Sequence, residues 1–139
     1  MLEKVHDHIV EELGHSSRTD TIFVVTTIVF NLIVLGVNSG VSSAAVEEDA
    51  TAAVDLILAV FILMTVLLNT VALVALFLGR RTRGKLLGGL ITMYQDNQTD
   101  KYYDPSLVAN YGARYLLFAG IMVILALTSV VVPLIIRFQ

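Results

Sequence analysis

Apolar residues dominate three long stretches of the chain, and polar segments separate these stretches. The most apolar stretch covers residues 52–79, where the only ionisable side chain is Asp55. About 20 residues at 1.5 Å rise cross the roughly 30 Å hydrocarbon core of a bilayer, so this stretch predicts a transmembrane helix. Two further apolar stretches predict two more transmembrane helices. We expect an all-α, polytopic integral membrane protein whose three transmembrane helices span 21–38, about 46–79 and about 107–136.

A shorter amphipathic pattern precedes the first of these helices. Its apolar positions recur at helical spacing: Leu2, Val5, Ile9 and Leu13. Gly14 follows directly, at a position typical of the residue that ends a helix. We therefore predict a separate short amphipathic helix and its cap within residues 1–20. The transmembrane domain would then occupy residues 21–137, with a loop at 80–106 between its second and third helices.

Each of the first two predicted membrane helices carries its polar residues on one stripe. The polar members of the stripes are Thr27, Asn31 and Asn38 in the first helix and Asp55, Thr65 and Asn69 in the second. Such a stripe faces protein or water rather than lipid. Two interpretations remain open. The amides form hydrogen bonds that hold helices or subunits together, or the hydroxyl and amide groups line a hydrated path for ions.

Carboxylates gather near the start of the second predicted helix. Glu47, Glu48 and Asp49 lie where a helix dipole favours negative charge, and Asp55 follows a turn or two later. An intramembrane acid is a candidate cation attractor or proton carrier, but an acid this close to a helix end can also simply be hydrated. In a ring of subunits, the outer acidic cluster formed by Glu47, Glu48 and Asp49 would concentrate cations at a pore mouth.

The distribution of basic residues predicts the orientation of the chain in the membrane. Six of them lie between the second and third predicted helices: Arg80, Arg81, Arg83, Lys85, Lys101 and Arg114. The first loop has none, and the carboxyl end has only Arg137. Because basic residues are enriched on the cytoplasmic side, we predict a cytoplasmic N-terminus, a cytoplasmic loop at 80–106 and an outside C-terminus. A plasma (inner) membrane is the expected location.

Composition narrows the class of protein further. The chain has 139 residues, of which 56% are hydrophobic and 15% charged, and its mean hydropathy is +0.79. The net charge of −3 and the lack of a basic, aromatic-interleaved surface argue against a nucleic-acid partner. There is no cysteine, no nucleophile–base pattern and no phosphate-binding glycine loop.

His8 with Glu12, and Glu11 with His15, have i, i+4 spacing, but two ligands are too few for a metal site. We therefore expect no catalytic residues, no metal and no cofactor.

Three helices enclose little space alone, so we expect the polar stripes to face other protein chains in addition to the lipid bilayer. Self-association is the simplest source of such partners. The leading hypothesis from the sequence is a small homo-oligomeric membrane protein that forms a cation-favouring channel or pore. The alternative is a non-catalytic structural or accessory subunit of a larger membrane complex, in which the asparagines only hold helices together.

Overall fold

Three long helices make up the computed structural model, which describes residues 1–47 and 52–138. Helix α1 covers Leu2–Glu47, α2 covers Ala52–Asp96 and α3 covers Ser106–Phe138. A short 3-10 turn at Asp100–Tyr102 lies between α2 and α3. No strand occurs in the described part of the chain. The protein is thus all-helical, and each of the three helices is long and apolar enough to cross a membrane.

The prediction of a separate short amphipathic helix at the N-terminus is wrong. Helix α1 runs without a break from Leu2 through Gly14 and Ser16–Asp20 into the first apolar stretch. A glycine inside a helix costs only about 1 kcal/mol relative to alanine, which tertiary packing readily outweighs. That packing comes from α2, because Ile9 would lie 4.0 Å from a β-carbon at position 89 and the His6 imidazole lies 3.2 Å from the Tyr94 hydroxyl.

Helix α2 also extends beyond its apolar stretch. Much of the segment predicted as a loop, 80–106, is helical, because α2 continues through the basic residues to Asp96. Arginine, lysine and leucine are good helix formers, and Leu87 and Leu90 are buried along this extension. The helix ends where Gln98 takes a left-handed backbone conformation and the Thr99 amide donates to the Tyr94 carbonyl, 2.8 Å away.

Helix α3 begins at an N-terminal cap formed by Asp104. The Asp104 carboxylate accepts a hydrogen bond of 2.9 Å from the Ser106 backbone amide, and Pro105 occupies the first turn, where a missing amide hydrogen costs nothing. The hydrogen bonds from Ser106 hold the pKa of the Asp104 carboxyl below its ordinary value. This cap starts α3 close to the membrane stretch that follows.

The three helices form one bundle in which each contacts the other two. Helices α1 and α2 are antiparallel, since Asp20 meets Arg83 while Asn31 meets Asn69. Val24, Ala72, Leu76 and Met122 form the buried apolar core. Residues 2–20 of α1 and 80–96 of α2 continue past the apolar stretches by about 25 Å as a two-helix extension, hereafter the helical extension.

Candidate functional site

A reciprocal pair of hydrogen bonds joins α1 and α2 in the middle of the apolar stretches. The Asn31 side-chain amide donates to the Asn69 oxygen at 2.9 Å, and the Asn69 amide donates to the Asn31 oxygen at 2.8 Å. The Asn69 amide also donates to the Thr65 backbone carbonyl at 2.8 Å. Both side chains are buried, with 1% and 5% of the residue exposed. The two amides therefore satisfy each other inside one protomer.

Three of the other four polar stripe residues lie on the same inward seam, and the fourth, Asp55, does not. Thr27, Asn38 and Thr65 are all buried, and the Thr65 hydroxyl donates to the Phe61 carbonyl at 2.8 Å. Ser42, one turn after Asn38, is also buried. Within the described residues, the Asn38 side-chain amide and the Ser42 hydroxyl have no hydrogen-bond partner. The seam is thus hydrogen-bonded at Asn31, Asn69 and Thr65, and its polar groups toward the end of α1 have no partner among the described residues.

An ion pair closes the seam at the start of the helical extension. Arg83 of α2 donates to the Asp20 carboxylate of α1, and their side chains are only 14% and 7% exposed. Charges removed from water this far are stabilised only when a partner with good geometry is present. Asp20 directly precedes the predicted first membrane helix and Arg83 lies in the basic segment, but nothing local in the sequence pairs two residues 63 positions apart.

A second ion pair lies at the opposite end of the bundle. Arg137 of α3 donates to the two Asp55 carboxylate oxygens at 2.8 and 3.4 Å. Just over half of the Asp55 side chain is exposed, so the pair is accessible to solvent or lipid head groups. The carboxylate considered as a cation attractor is therefore neutralised by a neighbouring helix. Glu47 ends α1, and Glu48 and Asp49 of the acidic cluster lie outside the described residues.

The outward surface of the bundle is apolar along the three membrane stretches. Leucine, isoleucine, valine and phenylalanine side chains are exposed there on every helix. Thr26 and Thr70 interrupt this belt, and the Thr70 hydroxyl donates to the Val66 carbonyl of its own helix at 2.7 Å. Hence the polar groups face inward and the lipid-compatible groups face outward, as expected for a bundle in a bilayer.

A groove lies between α1 and α3, beside the helical extension and next to the buried ion pair. Its volume is about 590 Å³, and the buried side chains of Leu87 and Leu90 of α2 form its floor. The side chains on its walls come from α1, from α3 and from the segment that precedes α3: Val10, Leu13, Ser17, Tyr103, Leu107, Asn110, Tyr111 and Arg114. The sequence does not predict this groove, because it depends on α1 and α2 both continuing past the membrane stretches.

No group of three histidine, aspartate or glutamate side chains in residues 1–47 and 52–138 is placed to hold a metal ion. His15 lies 3.6 Å from Glu11 one turn away, on an exposed face. The comparisons with known proteins add no further assignment: no protein-family model, curated protein or solved structure matches this chain.

Proposed function

We propose that the protein is a non-catalytic structural or accessory subunit of a larger membrane assembly. The observation that carries this proposal is the reciprocal hydrogen bonding of Asn31 and Asn69 inside a single bundle. Polar side chains that satisfy each other within one protomer need no second subunit and are not free to replace the hydration shell of an ion. Their role is then to hold α1 and α2 in register.

The helical extension supplies the part of the protein that another chain can contact outside the bilayer. It carries carboxylates on α1, including Glu3, Asp7 and Glu11, and basic residues on α2, including Arg81 and Lys85, all exposed. Exposed charges of both signs favour a docking partner with complementary charge and set the orientation of the complex. We place the helical extension on the cytoplasmic side, in keeping with the excess of basic residues.

A homo-oligomeric, cation-favouring channel is the second candidate, and one observation favours it. The Asn38 amide and Ser42 hydroxyl are buried without a hydrogen-bond partner among the described residues. Buried polar groups are normally paired, and water molecules or ions entering the seam from this end would supply partners. In that arrangement Asn38, rather than the Asn31–Asn69 pair, would control conduction.

Reconstitution of the purified protein alone separates the two candidates. A structural subunit conducts no ions in planar bilayers and, when extracted from native membranes in mild detergent, migrates with other chains at a fixed ratio. A channel conducts alone, and Asn38→Leu changes its conductance while Thr70→Val, which removes an outward hydroxyl, does not. Conduction that depends on Asn38 would overturn the accessory proposal.

A further inference from the structure

The groove between α1 and α3 has the volume of a small-molecule site. Its roughly 590 Å³ lies within the range of about 300–1,000 Å³ typical of ligand pockets. Three separate parts of the chain build it, with α2 as the floor and α1 and α3 as the walls. From Val10 to Ser17, and from Leu107 to Arg114, each wall runs for about 10 Å.

The lining of the groove is divided by polarity along its length. The end nearest the membrane stretches carries Ser17, Asn110, Tyr111 and Arg114, whereas the far end is mainly apolar. The apolar side chains of that end are Val10, Leu13, Leu87, Leu90 and Leu107. A ligand that matches this division has one charged or polar group and one hydrocarbon chain.

Among the described residues, the one charged side chain that lines the groove is the cation Arg114. Arg114 stacks over the Phe118 ring with 5.3 Å between its guanidinium carbon and the ring centre, and it forms no ion pair with any described carboxylate. Asp20, which shares a small crevice with Arg114, is already paired with Arg83. Guanidinium groups bind carboxylates and phosphates in a bidentate manner.

At the far end, burial raises the pKa of the Tyr103 hydroxyl, with a smaller effect from the neighbouring Tyr111 and Tyr94. The Tyr103 ring adds apolar surface to the far end of the groove. In the described part of the chain, no carboxylate lines the groove to repel an anion.

We propose that this groove binds a long-chain fatty acid, with its carboxylate on Arg114 and the part of its hydrocarbon chain nearest the carboxylate between Leu13, Leu90 and Leu107, while the rest of the chain extends past the open far end. The polar end of the groove lies within two turns of the apolar belt, since Thr21 follows Ser17 by four residues and Leu116 follows Arg114 by two. A fatty acid leaving the adjacent leaflet thus reaches the cation first. This inference concerns a ligand and is independent of the proposed accessory role.

The test uses the full-length protein in nanodiscs of phosphatidylcholine and a palmitate analogue with a photoactivatable diazirine on its chain. After illumination, mass spectrometry should locate adducts in residues 10–14, 87–90 and 103–107, and excess unlabelled palmitate should remove them. Arg114→Gln should lower these adducts about tenfold, because a charge-assisted hydrogen bond is lost, and Arg114→Lys should retain most of them. Arg18→Gln, which removes an exposed arginine that does not line the groove, should have no effect.

Two further measurements decide between occupants. A diazirine-bearing phosphatidylcholine should label only the apolar belt, and stronger labelling of the groove by this lipid would overturn the fatty acid assignment. Palmitate adducts confined to the belt, or unchanged in Arg114→Gln, would overturn it as well. Crosslinks between groove residues of two copies, with no palmitate adduct, would show that a second copy fills the groove instead. Circular dichroism of each variant establishes that loss of labelling is not loss of folding.

Discussion

Gly79 of α2 lies directly against the Asp20 carboxylate of α1, such that a β-carbon at position 79 would come within 2.5 Å of a carboxylate oxygen. Arg83 follows Gly79 by one helical turn and donates to the same carboxylate. The absence of a side chain at position 79 therefore provides the space in which the buried ion pair forms. This is the one glycine of the described chain at which an added β-carbon would meet another atom closer than 3 Å.

Gly79→Ala should destabilise the bundle, because the added methyl group displaces Asp20 and lengthens its contact with Arg83. We expect a loss of about 1–3 kcal/mol, the usual cost of inserting a methyl group where there is no room. The free energy of unfolding can be measured by titrating the protein in mixed micelles with denaturant and following its circular dichroism. Gly84→Ala is the matched control, since nothing lies within 4 Å of a β-carbon there, and it should be neutral or slightly stabilising. Equal stability of the two variants would contradict this account.

The two interhelical ion pairs should differ in their contribution to stability because they differ in burial. Asp20→Asn leaves Arg83 buried without a charged partner, a change that typically costs about 3–5 kcal/mol. Asp55→Asn breaks a pair whose carboxylate is 54% exposed, and because water screens such a pair, the loss of stability should be much smaller. Because both variants replace an aspartate by an asparagine, each serves as the control for the other. A loss at Asp55 as large as at Asp20 would show that the outer pair is shielded from solvent.

The asparagine pair should behave as a coupled unit. Asn31→Leu leaves the Asn69 amide with an unsatisfied oxygen in an apolar interior, so this single variant should lose about 1–3 kcal/mol. The double variant with Asn69→Leu removes both partners, and its loss should be smaller than the sum of the two single losses. Additive losses in a double-mutant cycle would mean that the two amides act independently. Thr70→Val, at an exposed position of α2, provides the reference value for a polar-to-apolar change on this helix.

The Asp104 cap should make the start of α3 sensitive to acid. Hydrogen bonds from Ser106 lower the pKa of Asp104 in the folded protein. The charged carboxylate therefore contributes fully to the free energy of unfolding when the pH is above the unfolded pKa of about 3.8, and this contribution is lost as the pH falls through the folded pKa. Asp104→Ala should therefore reduce stability at pH 7 and match the wild type once the carboxyl is protonated. Stability curves of both proteins between pH 7 and pH 2 provide the measurement. A difference that persists at the lowest pH would assign the effect to something other than the charge.

The predicted topology places the helical extension in the cytoplasm and the carboxyl end of α1 outside. Single cysteines at Ser43 and Thr99, in a chain with no natural cysteine, should label with an impermeant maleimide from opposite sides of sealed cells. Ser43→Cys should label from outside and Thr99→Cys only after permeabilisation. Labelling of both from one side would refute the arrangement of three spans.

Local features of the sequence were sufficient to predict the membrane-compatible helices. An apolar stretch such as 52–79 requires a helix in a bilayer, because every backbone polar group must be paired within the segment. The stripes that contain Asn31 and Asn69 also follow from the helical repeat alone. These inferences depend only on interactions between residues a few positions apart.

Tertiary packing decided the rest. Gly14 and the basic segment after Gly79 indicate helix ends, but each such signal is worth only about 1 kcal/mol, and the contacts between residues 2–20 and 80–96 outweigh it. Asp20 and Arg83 are 63 positions apart in sequence, and Asp55 and Arg137 are 82 positions apart. Each pair therefore forms only because the helices pack in one particular register. The sequence by itself determined which faces are polar. Only the packed bundle determined that these faces meet one another inside a single protomer.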